Sequence, residues 1–155
     1  MKNPLSKPTA GVRTRSLLQT LALVVGAVFL LVGVLGFVPG ITTHYGQMEL
    51  AGHESGAMLL DVFQVSVLHN VVHLLFGVAG IAMSRRVDSA FLFLVGGGAI
   101  YLVLWVYGLV VGPNQDANFV PVNNADDWLH FALGAGMIAL GFVARNQGQR
   151  SRVGL

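Results

Sequence analysis

Cysteine is missing from all 155 residues, which excludes disulfides, thiolate metal sites and cysteine nucleophiles and leaves no thiol from which to infer a redox compartment. Charge is scarce as well. Charged residues make up 10% of the chain against 54% hydrophobic ones, and the mean hydropathy is +0.69, a balance foreign to a water-soluble domain of this size. There is also no phosphate-binding loop, no G-x-S-x-G elbow, no H-E-x-x-H helix and no nucleic-acid motif. The net charge of +2 and the pI near 9.4 therefore do not signal nucleic acid; the basic residues mark one face of a membrane instead. Glycine, by contrast, is plentiful at 20 residues, as expected where helices pack closely in lipid.

Four apolar runs are long enough to cross the roughly 30 Å hydrocarbon layer: Leu17 to Val38, Val62 to Met83, Ala90 to Gly112, and Trp128 to Ala144. The fourth is short, and its polar lead-in "NNADD" extends it. Asn123 or Asn124 is placed to cap a helix whose first turn carries Asp126 and Asp127, where carboxylates complement the helix dipole; the helix is expected to start near Asn124. Lys2, Lys7, Arg13 and Arg15 precede the first span, Arg85 and Arg86 separate the second from the third, and Arg145, Arg150 and Arg152 follow the fourth. All of them fall on one side. Six of the seven acids lie in or beside the two opposite loops, and only Asp88 joins the basic side. The positive-inside rule then places both termini and the "SRRVD" turn in the cytoplasm.

A signal peptide would compete for residues 1–38, but the apolar run exceeds a typical h-region, no A-x-A-like site follows, and its removal would break the charge pattern. The expected organisation is a basic cytoplasmic tail at residues 1–16, a four-span membrane domain at 17–144 and a second basic cytoplasmic tail at 145–155. The fold class is all-α, a transmembrane four-helix bundle.

The bundle reads as two repeated helical hairpins. "HLLFGVAGIAM" at 73–83 aligns with "HFALGAGMIAL" at 130–140, so that Gly77 meets Gly134 and the Ile-Ala pairs 81/82 and 138/139 coincide. The spans before them end in "GFVPG" and "GLVVG", with G-x-x-x-G at Gly36/Gly40 and Gly108/Gly112. The distance from this motif to the aligned histidine differs by fifteen residues, assigned to a longer first outer loop. Two hairpins of like orientation imply a pseudo-twofold along the membrane normal. Gly36, Gly40, Gly77, Gly108, Gly112 and Gly134 are expected to let helix backbones approach each other.

At about 100° per residue the second span gathers His69, Asn70 and His73 with small residues on one face, and the fourth gathers Asp126, Asp127 and His130. Hydrocarbon penalises such groups, so the two faces should meet inside the bundle. His73 is twelve residues from Arg85 and His130 fifteen from Arg145, roughly 18 and 22 Å above the cytoplasmic boundary and so in the outer half. The repeat aligns His69 with Asp126, setting H-x-x-x-H opposite D-x-x-x-H. His69, His73, Asp126 and His130 are therefore the candidate site. An i, i+4 pair suits chelation of one ion, and three imidazoles with a carboxylate suit Zn, Fe, Mn or Ni better than Ca or Mg. Asn70 and Asp127 would orient the imidazoles from behind. The same side chains also suffice for an interhelical hydrogen-bond network with no ligand. Heme on His73 and His130 is less favoured because it leaves His69 without a role; a quinone site or a proton conduit are further alternatives. In the first outer loop His44, Glu49, His53 and Glu54 lack metal-like spacing and read as a solvated loop.

With these residues in hand, "VFQVSVLHNVVHLLFGVAG" and "NNADDWLHFALGAGMIALG" resemble the bacterial four-span membrane proteins grouped as a domain of unknown function. The likeness covers approximately Leu17 to Ala144. Its H-N-x-x-H motif falls on His69, Asn70 and His73, and its N-x-A-D-x-x-L-H motif, with small shifts in spacing tolerated, on Asn124, Asp126, Leu129 and His130. The resemblance implies a small integral protein of the bacterial cytoplasmic membrane and attaches no activity to it. The expected partners are the lipid bilayer and either a membrane protein or further copies of this chain. Three functions compete: a membrane protein holding a transition metal, a structural or accessory subunit, and a heme or quinone redox protein or proton conduit. No residue pattern names a substrate or a reaction.

Overall fold

The computed structural model describes residues 14–111, 117–119 and 122–153. It is mostly helical, with α1 over Leu17–Leu35, α2 over Val67–Met83, α3 over Val87–Val111 and α4 over Asn124–Val153. Between α1 and α2 lies a small antiparallel sheet of β1 (Thr42–Thr43), β2 (Met58–Leu59) and β3 (Phe63–Gln64), in that order. α1 opens on a reciprocal cap, in which Ser16 Oγ accepts from the Gln19 backbone N at 3.3 Å and Gln19 Oε1 accepts from the Ser16 N at 3.1 Å. Two N–H groups that a helix start leaves without partners are satisfied this way.

Among the described residues three helices are long and apolar enough to cross a membrane: α1, α3, and α4 from Asn124 to Arg150. α2 has 17 residues, about 25 Å of helix. It is shorter than the run from Val62 predicts because Phe63 and Gln64 pair with Leu59 and Met58 as a strand. Leu60 and Asp61, at φ of 53° and 60°, turn the chain there, and Ser66 caps the helix only afterwards. α4 begins at Asn124 as expected and continues past Ala144, so the basic stretch after the fourth apolar run is helical up to Val153. Lys2, Lys7, Arg13 and Gly112 lie outside the described residues.

α1 packs chiefly on α2 and α3 chiefly on α4, and α1 also touches α3 and α4. Glycine makes both close pairings. A Cβ on Gly26 would stand 2.7 Å from the Ile81 N, and one on Gly98 would stand 2.7 Å from the Gly134 O; real Cβ atoms do not come that close, so only glycine permits these backbones to touch. Gly77 and Gly134 face back onto the same places, against Gly26 O and Gly98 O. Gly40 departs from the expectation: it lies past the end of α1 at φ 93°, with nothing within 4 Å of where a Cβ would be. It serves a turn rather than helix packing, because only glycine adopts that backbone without strain.

Large aliphatic side chains stand outside and small or polar ones inside. Val110, Val103 and Leu75 are 75%, 67% and 65% exposed, whereas Gly26, Gly77, Gly98 and Gly134 are buried together with His69, Asn70, Asp126 and His130. In water so large an exposed apolar surface would aggregate; against lipid it costs nothing. The two ends of the helices are also distinct. At one, Gln19 Nε2 donates to Arg85 O at 2.9 Å and the Arg145 guanidinium lies 4.3 Å over the Phe91 ring. At the other, the Gly52 N donates to Phe119 O at 2.8 Å and β3 meets the start of α4. Basic residues gather at the first end and acidic ones at the second.

Candidate functional site

Two helix starts position the site. Ser66 sits in extended conformation before α2, and its Oγ accepts from the His69 N at 3.1 Å, which sets His69, Asn70 and His73 on the inward face one turn later. Asn123 does the same for α4, its Oδ1 accepting from the Ala125 N at 2.8 Å and the Asp126 N at 3.0 Å. Asp126 answers, for its Oδ2 accepts from the Asn123 N at 3.0 Å. The cap is therefore a reciprocal box, and Asn123 rather than Asn124 is the capping residue.

The Asp126 Oδ2 has a second task. It also accepts from the Gln64 N at 3.1 Å, and Gln64 in turn donates through Nε2 to His53 O and Ser55 O at 2.9 and 2.8 Å. One carboxylate oxygen thus ties the loop between α1 and α2 to the start of α4. Nothing in the sequence pattern selected Gln64, whose side chain lies off the histidine face; its signal exists only once β3 has formed.

The two α2 histidines stack, with ring centroids 4.6 Å apart and planes 16° from parallel. His73 Nδ1 lies 3.0 Å from the His69 carbonyl oxygen. A carbonyl only accepts, so Nδ1 carries the proton and the neutral ring keeps its lone pair on Nε2. On the far side of His73 is Phe29 at 5.6 Å, and Phe29 meets Tyr101 at 5.2 Å, which meets the His130 ring edge-on at 5.2 Å. Phe29 and Tyr101 were not anticipated as site residues. They form an aromatic bridge between the histidines of the two helix pairs.

His69, Asn70, His73 and Asp126 border one cavity of about 100 Å³; His130 stands outside its wall, against Tyr101. Asn70 packs against Gly36 and donates weakly to Met48 Sδ at 3.9 Å. Asp127 packs against Gly108 with its Oδ1 unpartnered, and the His130 Nδ1 is likewise buried without a partner among the described residues. Asn70 and Asp127 are each turned onto a glycine of the neighbouring helix, Gly36 and Gly108. Among the described residues no three His, Asp or Glu side chains come close enough together to hold a metal ion. The separation follows from placement: His69, His73 and Asp126 line one cavity while His130 is turned onto Tyr101.

No curated protein and no solved structure matches this chain. A family model does, over residues 19–143, and the description of that family is "Domain of unknown function (DUF4383)". The match runs from the first turn of α1 almost to the end of the apolar part of α4 and takes in both histidine motifs, so the chain belongs to this family of unknown function.

Proposed function

We propose that the chain is a four-span protein of the bacterial cytoplasmic membrane, with both termini cytoplasmic, and that it serves as a structural or accessory membrane protein. Its buried His, Asn and Asp side chains hold the helices and the outer loop together. The observation that carries this reading is Asp126 Oδ2, which accepts the backbone N–H groups of both Asn123 and Gln64 and so joins α4 to the loop between α1 and α2. A metal at His69, His73, Asp126 and His130 has less support, because among the described residues no three such side chains stand close enough together to share an ion. The separation of basic and acidic ends supports the orientation. α2 completes its crossing with the compact loop stacked on its outer end.

The four-helix bundle is, on this proposal, a duplicated hairpin. Its support is a set of contacts that recur 72 positions later in the first helix and 57 later in the second. Gly26 against Gly77 becomes Gly98 against Gly134, and Gly36 over Asn70 becomes Gly108 over Asp127. Phe29 beside His73 becomes Tyr101 beside His130. Gly33 against Leu74 becomes Trp105 on Phe131, with ring centroids 4.8 Å apart. Even the Ser66 cap becomes the Asn123 cap. Chance likeness among apolar letters would not place partners on both helices at constant offsets.

Cysteine labelling tests the topology without a background, since the chain has no thiol of its own. A cysteine at exposed Glu54 should react with an impermeant maleimide in intact cells, and one at exposed Gln149 should react only after lysis; the opposite pattern overturns the orientation. Elemental analysis of purified protein addresses the metal reading, and an equivalent of Zn, Fe, Mn or Ni per chain, lost on His73→Ala, would replace the structural account.

A further inference from the structure

We propose that the groove between α1 and α4 is a binding site for a single-tailed amphiphile with a hydroxyl head, the hydroxyl donating to His73 Nε2. A cavity of about 340 Å³ lies there, walled by Val25, Val28 and Phe29 of α1 and Leu133, Gly136 and Met137 of α4, with His73 on its wall. Its size is that of a small-ligand site. The cavity of about 100 Å³, whose largely apolar wall also carries His69, Asn70 and Asp126, adjoins it, for Val32, His73 and Leu129 border both. A larger apolar chamber and a smaller one with polar side chains on part of its wall thus share a histidine, the shape that a molecule with a tail and a small head would fill.

The chemistry of the head follows from the tautomer. The His69 carbonyl holds the proton on His73 Nδ1, so Nε2 of the neutral ring is an acceptor, and among the described residues it receives no hydrogen bond. A hydrocarbon tail alone would leave that acceptor unsatisfied at membrane depth. A cationic head would bring an unpaired charge into the same apolar place. A neutral hydroxyl, as on a long-chain alcohol, phenol or quinol, meets the acceptor without either cost. Entry is from the bilayer, because Val24, Val28 and Leu140 on the groove are exposed on the outer face of the helices. The equivalent place on the other side is filled: Phe76 lies so close to Gly97 that a Cβ there would stand 2.7 Å from its ring.

The site rests on the four-span reading, and one experiment separates the two. Protein in phosphatidylcholine vesicles is irradiated with a sixteen-carbon alcohol carrying a mid-chain diazirine, or with the methyl ether of that alcohol, which cannot donate. The alcohol should label wild type about five- to tenfold more than the ether, the ratio expected of one hydrogen bond, with adducts on residues 24–32 and 129–140. His73→Phe should abolish the preference, and His73→Gln, whose amide oxygen accepts, should retain part of it. Gly136→Leu fills the groove where nothing stands within 4 Å of a Cβ and should suppress labelling there by both probes with the elution profile unchanged; it carries the test if His73→Phe does not fold. Equal labelling by the two probes in wild type, or a preference that survives His73→Phe, overturns the site. Absence of labelling from all four helices by either probe overturns the membrane reading, and the site with it.

Discussion

The α1–α2 pair and the α3–α4 pair meet their partners at matching points but bury different chemistry there. Where the first presses the neutral amide of Asn70 on Gly36, the second presses the carboxyl of Asp127 on Gly108. Where the first has a serine cap with one bond to His69, the second has a reciprocal Asn123–Asp126 box that also grips Gln64. Glycine recurs where Gly26 meets Gly77 and Gly98 meets Gly134, since backbone against backbone leaves no side chain to adapt there. By contrast, Gly33 gives way to Trp105, and the polar position above accepts another compact group that its surroundings satisfy. The second pair is the more acidic because its helix start doubles as an anchor for the loop of the first.

The comparison breaks most readily at the glycines. Gly26→Leu and Gly98→Leu should each cost about 3 kcal/mol or more, enough to lose the monodisperse peak on size exclusion in detergent. Should one be tolerated and the other not, the two pairs are not equivalent. Next in size is the anchor. Asp126→Ala leaves two backbone N–H groups without their acceptor and should cost about 2–3 kcal/mol in reversible unfolding in mixed micelles, with faster proteolysis between residues 50 and 64. Asp126→Asn keeps an acceptor oxygen and should lose less, and Ser66→Ala, which breaks a single cap bond, about 1 kcal/mol.

Smaller effects sharpen the pairing of glycine with the polar group above it. Gly36→Ala and Gly108→Ala should each destabilise by about 1–2 kcal/mol, and Asn70→Ala should rescue the first but not the second. Asp127→Ala should do the reverse. A double-mutant cycle measures this, and additivity within each pair would show that the polar head and the glycine do not press on each other. Smallest of all is Gly136→Ala, facing open space, which should change stability by less than about 1 kcal/mol and in the stabilising direction. A clear loss on thermal unfolding would show that the α1–α4 groove is not open.

Much of the site was legible because helical periodicity is a property of the chain alone. His69, Asn70 and His73 were expected on one buried face and Asp126, Asp127 and His130 on another, and all six are buried. The role of Asp126 was not legible. Its partner Gln64 stands 62 residues away, on a strand that replaced the first turns of an expected helix. Apolar letters at 62–66 satisfy a hydropathy window equally as helix or as strand, and the hairpin through Leu60 and Asp61 made the choice. Gly40 illustrates the same limit, since a G-x-x-x-G spacing means packing only if the helix lasts long enough to include both glycines.

By itself the amino-acid order determined which stretches are apolar enough to face lipid, which end of each carries positive charge, and which face of each helix is too polar or too small for the outside. These follow from solvation and from the 3.6-residue turn, which need no knowledge of neighbours. Only the tertiary structure decided that the His73 Nδ1 is spent on a backbone carbonyl, that Asp126 ties a loop, that Phe29 and Tyr101 bridge the histidines, and that a groove stays open on one side where Phe76 closes the other. Hydrogen-bond partners and voids are relations between elements, and a relation has no position in the chain until the elements have packed.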